Sequence, residues 1–112
     1  MARFERLVAQ ALDRLPGRFR RCLDNIEVVV EESPPPEIAN RYPGLLLGLY
    51  HGVPLTQRST MSFQMPDLIY LYKGNIERVC ATEAQIRRQI RATVLHEVGH
   101  HFGLDEQELR NV

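Results

Sequence analysis

Only two cysteines, Cys22 and Cys80, occur in 112 residues. They are too few and too far apart for a zinc ribbon or a disulfide framework, so both are expected to be reduced thiols in the core. Charge of one sign is also lacking: Lys plus Arg and Asp plus Glu both total 14, and the formal net charge is zero. No long-range field then draws the chain to nucleic acid or to an anionic membrane, and neither is expected as a partner. Long apolar runs are missing as well, so no bilayer-spanning segment is expected. Arg3, Glu5, Arg6 and Asp13 break up the first turns, which is the wrong make-up for a signal peptide, and a cytoplasmic location is the default expectation. No internal repeat, low-complexity tract or linker divides the chain, and residues 1–112 are read as one domain.

What is present is the composition of a folded protein, 44% hydrophobic and 25% charged. Phe4, Leu7, Val8, Ala11, Leu12 and Leu15 recur at helical spacing until Pro16-Gly17, which predicts an amphipathic helix over residues 2–15. A basic turn, Arg18 to Arg21, follows. The β-branched run 26–31 predicts a strand, ended by Ser33-Pro34-Pro35-Pro36 and a surface connection to about Pro43. Leu45 to Gly52 and Asp67 to Tyr72 predict two more strands, and Ile76 to Cys80 a short helical turn. The last helix has the clearest start signal: Thr82 and Gln85 form a capping box, in which each side chain satisfies a backbone N–H. Ile86, Ile90, Val94 and Val98 mark its buried face, and Gly103 supplies the left-handed stop, so it should span about 83–102.

Near the end of that helix lies His96-Glu97-Val98-Gly99-His100. Two histidines four positions apart differ by about 40° around the helix and about 6 Å along it, so both imidazoles can reach one metal ion. In the zincin arrangement the intervening glutamate is not a ligand. It takes a proton from the water that attacks a carbonyl and passes it to the leaving amine. Zinc suits this role, because it polarises the carbonyl, lowers the pKa of water to roughly 7 and keeps one position open.

A catalytic zinc site usually has three protein ligands. With the chain ending at Val112, a glutamate on a distant downstream helix is not expected. Asp105, Glu106 and Glu108, or a carboxylate from elsewhere such as Asp67, are the candidates. On a straight helix Glu106 would be turned roughly 240° from His100, but Gly103 allows the chain to turn back. The spacing His-Glu-x-x-His-x-x-Gly-x-x-Glu then puts Glu106 where metzincins carry a His or Asp. Glu106 is the favoured third ligand and Asp105 the alternative.

The stretches Gly48-Leu49-Tyr50-His51-Gly52-Val53-Pro54-Leu55-Thr56, Pro66-Asp67-Leu68-Ile69-Tyr70-Leu71-Tyr72 and His96-Glu97-Val98-Gly99-His100-His101-Phe102-Gly103-Leu104 give the chain a family likeness. Over roughly its C-terminal two thirds it resembles the small bacterial family of minimal zincin-like proteins, candidate metallopeptidases. The resemblance implies an α+β fold in which a small, three- to four-stranded mixed sheet packs against the N-terminal helix and the active-site helix. It implies His96 and His100 as zinc ligands and Glu97 as general base, with no metzincin methionine turn to follow.

Other residues have plainer expectations. His101 is rotated by about 100° from His100, which suggests a surface position or a place behind the ligands. His51 reads as a polar strand end, and Tyr70 and Tyr72 as packing on one strand face. Arg87, Arg88 and Arg91, with Arg18, Arg20 and Arg21, read as solvated charge. The expected function is a zinc peptidase acting on an extended peptide or protein substrate held along an open sheet edge, either residues 45–52 or 67–72. A non-catalytic, metal-stabilised protein-binding module is the alternative. A metal-dependent RNase fits poorly, since position 97 is Glu and no histidine follows His101.

Overall fold

Three strands form one mixed sheet in the order β1-β3-β2, in a computed structural model that describes residues 1–52 and 66–101. β1 (Ile26–Glu31) runs parallel to β3 (Asp67–Tyr72), paired from Ile26 with Asp67 to Glu31 with Tyr72. β2 (Gly48–His51) runs antiparallel along the other side of β3. Residues 67–72 are therefore the inner strand and not an open edge, which corrects one of the two sheet edges expected to hold a peptide. The run Leu68-Ile69-Tyr70-Leu71-Tyr72 has no charged residue, as suits an inner strand, but its pairing with both β1 and β2 is what sets its place. Ile69 and Leu71 are fully buried.

α1 (Ala2–Asp13) buries Phe4, Leu7, Val8 and Ala11, the stripe expected from its periodicity. Each large apolar side chain removed from water contributes about 1.5–3 kcal/mol. The helix ends two residues earlier than expected, because Pro16 disfavours helical backbone in the residue before it. Leu15 still joins the core. The segment read as a basic turn is a short helix, α2 (Gly17–Cys22), entered from Pro16 and anchored by buried Phe19. A one-turn helix, α3 (Pro36–Ala39), interrupts the proline-rich connection, with Pro36 in the first turn, where its missing N–H costs nothing.

α4 (Lys73–Arg78) begins directly after β3, earlier than the turn expected from Ile76. Gly74 permits this: its N–H donates to the Glu32 carbonyl at 2.9 Å, and a Cβ there would stand 2.9 Å from the same oxygen. Asn75, buried on α4, donates through Nδ2 to the Leu46 carbonyl at 2.7 Å and fixes the chain entering β2.

α5 (Glu83–His101) starts as expected. The Thr82 hydroxyl accepts the Gln85 N–H at 3.1 Å, and Gln85 Oε1 accepts the Thr82 N–H at 3.3 Å. Ile86, Ile90, Val94 and Val98 face the core shared with α1, and Thr93 and Gly99 are buried beside them. Arg3 Nε donates to Glu83 Oε2 at 2.7 Å across the two helices, an exposed pair of at most about 1 kcal/mol. The stop expected at Gly103 lies outside the described residues. Cys22 and Cys80 are free and partly buried against the core, and burial pushes the Cys80 thiol pKa up. Among the described residues no helix is long and apolar enough to cross a membrane.

Candidate metal centre

His96 and His100 sit on the exposed side of the last turns of α5, their ring centres 6.0 Å apart and their planes tilted by 43°. Zinc–nitrogen bonds of about 2.0–2.1 Å to two imidazoles place ring centres about 5 Å apart, so a small side-chain rotation suffices for both to share an ion. His96 Nδ1 lies 2.9 Å from the Ala92 carbonyl oxygen. A carbonyl only accepts, so the bond requires the proton on Nδ1 and leaves the lone pair on Nε2. That is the arrangement in which metal-binding histidines are oriented by a partner behind the ring. The donor set thus fits zinc at these two positions. Among the described residues no group of three His, Cys, Asp or Glu comes together as a metal cage. The expected third ligands, Glu106 and Asp105, lie outside the described residues.

Glu97 is half-buried beside this pair, and β2 holds it. The Tyr50 N–H donates to Glu97 Oε1 at 2.9 Å, while Oε2 takes no hydrogen bond from the described residues. One oxygen is therefore positioned by backbone and the other is open to a proton. The strand approaches closely because Gly48 packs on α5: a Cβ at Gly48 would stand 2.6 Å from Thr93 Cγ2. Between strand and helix lies a groove of about 260 Å³, bordered by Leu46, Gly48, Gln89, Thr93, His96 and Glu97. Alternate residues of a strand direct their backbone groups the same way, so those of Gly48, like the Tyr50 N–H, point away from β3 and towards α5.

Asp67, weighed above as a ligand from elsewhere, is 6% exposed at the start of β3 and meets Tyr50 and His101. His101 is exposed, its ring stacked on Tyr50. His51 ends β2 in an exposed position. Tyr70 and Tyr72 stack on one strand face, with centres 6.4 Å apart. Arg87, Arg88 and Arg91 line a separate groove of about 580 Å³ with Gln10, Asp13 and Arg14 of the N-terminal segment. Tyr50 is the residue that sequence reasoning missed as part of the site. Its partner Glu97 is 47 positions away, and the only local cues were Gly48 and Gly52 on either side of it.

A solved structure of a conserved hypothetical protein from Thermus thermophilus is 26% identical and superposes with a TM-score of 0.60, over 90% of this chain and 92% of that one. Among curated proteins nothing matches. The profile of the family described as zincin-like metallopeptidase matches residues 23–112, which takes in the whole sheet, α5 and the paired histidines. The chain belongs to the zincin-like metallopeptidase family.

Proposed function

We propose that this protein is a zinc-dependent metallopeptidase with Glu97 as its general base. His96 and His100 would hold the ion, with Glu106 as third ligand and Asp105 as the alternative. When bound, zinc supplies Lewis-acid polarisation of the scissile carbonyl and lowers the pKa of water to roughly 7. Glu97 Oε2 receives the proton of the attacking water and delivers it to the leaving nitrogen, while Oε1 stays on the Tyr50 N–H. An extended peptide would lie along β2 beside the site, with a side chain in the groove by Gln89 and Thr93.

The observation that carries this reading is the pinned Glu97, one oxygen held by the Tyr50 N–H, beside a histidine whose Nδ1 faces the Ala92 carbonyl. The test is hydrolysis of a broad peptide library by protein loaded with one zinc per chain. Glu97→Gln should lower turnover by about 10²–10⁴-fold, the usual contribution of a positioned base, with zinc still bound. Equal rates in the two proteins would overturn the assignment.

One observation favours a second reading, a non-catalytic module that binds a protein partner. The groove of about 260 Å³ is smaller than the ~300–1,000 Å³ usual for ligand sites. In that case zinc removal lowers the melting temperature while Glu97→Gln leaves partner capture intact.

A further inference from the structure

Two pairs with helical i, i+4 spacing interleave at the end of α5. His96 and His100 form one, and the other is Glu97 and His101, which also share a helix face. The second pair meets a single residue of β2. Glu97 Oε1 accepts the backbone N–H of Tyr50 at 2.9 Å, and the His101 ring stacks on the Tyr50 ring, with centres 4.1 Å apart and planes 19° from parallel. The Tyr50 hydroxyl donates to Asp67 Oδ2, and His101 Nε2 stands 3.9 Å from that oxygen. Gly52 lets the chain close over the stack: a Cβ there would lie 3.3 Å from His101 Cε1 and 3.4 Å from Tyr50 Cε1.

A buried carboxylate is costly without partners, and the start of a strand does not by itself require one. From this cluster we infer that Tyr50, Asp67 and His101 form a latch that holds the edge strand on the last turn of α5 and thereby aims Glu97. The inference rests on reading Glu97 as the base. In it Tyr50, Asp67 and His101 are positioning residues: the ring of Tyr50 is gripped from β3 and from α5, so its N–H stays where Glu97 Oε1 can use it. Releasing the ring frees residues 49–52 from the helix, and the carboxylate then loses its fixed orientation.

The test uses the full chain and a readout independent of turnover, the backbone amide of residue 50 followed by ¹⁵N-resolved NMR and hydrogen exchange. Its contact with residue 97 is identified by the resonance shift in Glu97→Gln. Asp67→Ala, Tyr50→Phe and His101→Ala should each speed exchange of that amide by about tenfold, the loss of roughly one hydrogen bond, while the amides of Ile69 and Leu71 keep their wild-type rates. Asp67→Asn keeps an acceptor for the phenol and His101→Phe keeps the stack, so both should restore slow exchange. In the zinc-loaded enzyme the first three variants should lower kcat about tenfold at unchanged KM. An unmoved residue-50 amide in the disruptive variants would overturn the latch, as would conservative variants that behave like the disruptive ones. If Asp67→Ala does not fold, Tyr50→Phe against wild type carries the same decision. A wild type without peptidase activity, or Glu97→Gln as active as wild type, would sink the functional reading and leave the amide result to judge the latch.

Discussion

Gly48 stands where a Cβ would come within 2.6 Å of Thr93 Cγ2 and 2.8 Å of the Tyr70 carbonyl oxygen. The strand edge is thus pressed between the helix that carries the histidines and the inner strand. Two residues on from Gly48 is Tyr50, and four on from Thr93 is Glu97, so the glycine contact sets the separation across which Tyr50 N–H reaches Glu97 Oε1. Gly48→Ala should destabilise the fold by about 1–3 kcal/mol, the cost of overpacking. Thr93→Ser in the same chain removes Cγ2 and should recover part of that loss, while the Tyr70 carbonyl prevents full recovery. Denaturant unfolding of the two single variants and the double variant measures the coupling.

Zinc binding should identify the third ligand directly. His96→Ala and His100→Ala should each lower zinc affinity by more than about a hundredfold, since losing a direct ligand exceeds the 10–100-fold typical of losing a residue behind one. Glu106→Ala should match them and Asp105→Ala should not. Competition titration against a chelator of known affinity gives the ranking. If Asp105→Ala shows the large loss and Glu106→Ala does not, the order of the two carboxylates is reversed.

Local signals explain what was legible in the sequence. β1, β3 and α5 show in the sequence because each has an uninterrupted pattern, and α5 has a capping box that forms as its residues predict. The histidine pair was legible for the same reason, since i, i+4 spacing fixes relative direction without any knowledge of the fold. The short helices α2, α3 and α4 were not, because proline or glycine breaks their patterns and distant contacts hold them: Phe19 in the core, Gly74 against Glu32, Asn75 on Leu46. The inner position of β3 follows from pairing on both sides, and period alone does not reveal that. Tyr50 belongs to the site through a partner in another element, so no window of sequence around it contains the signal.

The capping box is open to a simple check. Thr82→Ala removes the acceptor for the Gln85 N–H and should cost about 1 kcal/mol, with a range of about 0.5–2. Gln85→Ala removes the acceptor shared by the Thr82 and Ala81 N–H groups and should cost a similar amount. The double variant should lose less than the sum, because the two side chains serve one helix end. In a chain of this size, about 1 kcal/mol lowers the melting temperature by roughly 4–8 °C. Since the cap is more than three helical turns from His96, zinc affinity should stay at the wild-type level.

Alkaline pH should weaken the fold through Tyr72. Burial raises its phenol pKa above the ordinary 10.0, and the Glu31 charge adds to the rise. Glu31 is the residue paired with Tyr72 across β1 and β3, so phenolate would form facing a carboxylate. A group with a raised folded pKa contributes stability that is complete below its unfolded value and lost as pH climbs through the folded one. Unfolding free energy should therefore be flat with respect to this group up to about pH 10 and fall above it. Lys73 titrates in the same direction, its pKa raised chiefly by the hydrogen bond to Glu77, and so does the Cys80 thiol, raised by burial, so the fall has three sources. Tyr72→Phe should leave stability near neutral pH almost unchanged and make the alkaline fall shallower, and Lys73→Gln in the same chain should flatten it further. Urea unfolding at a series of pH values measures both slopes, and a Tyr72→Phe curve parallel to wild type above pH 10 would show that the phenol is not what fails.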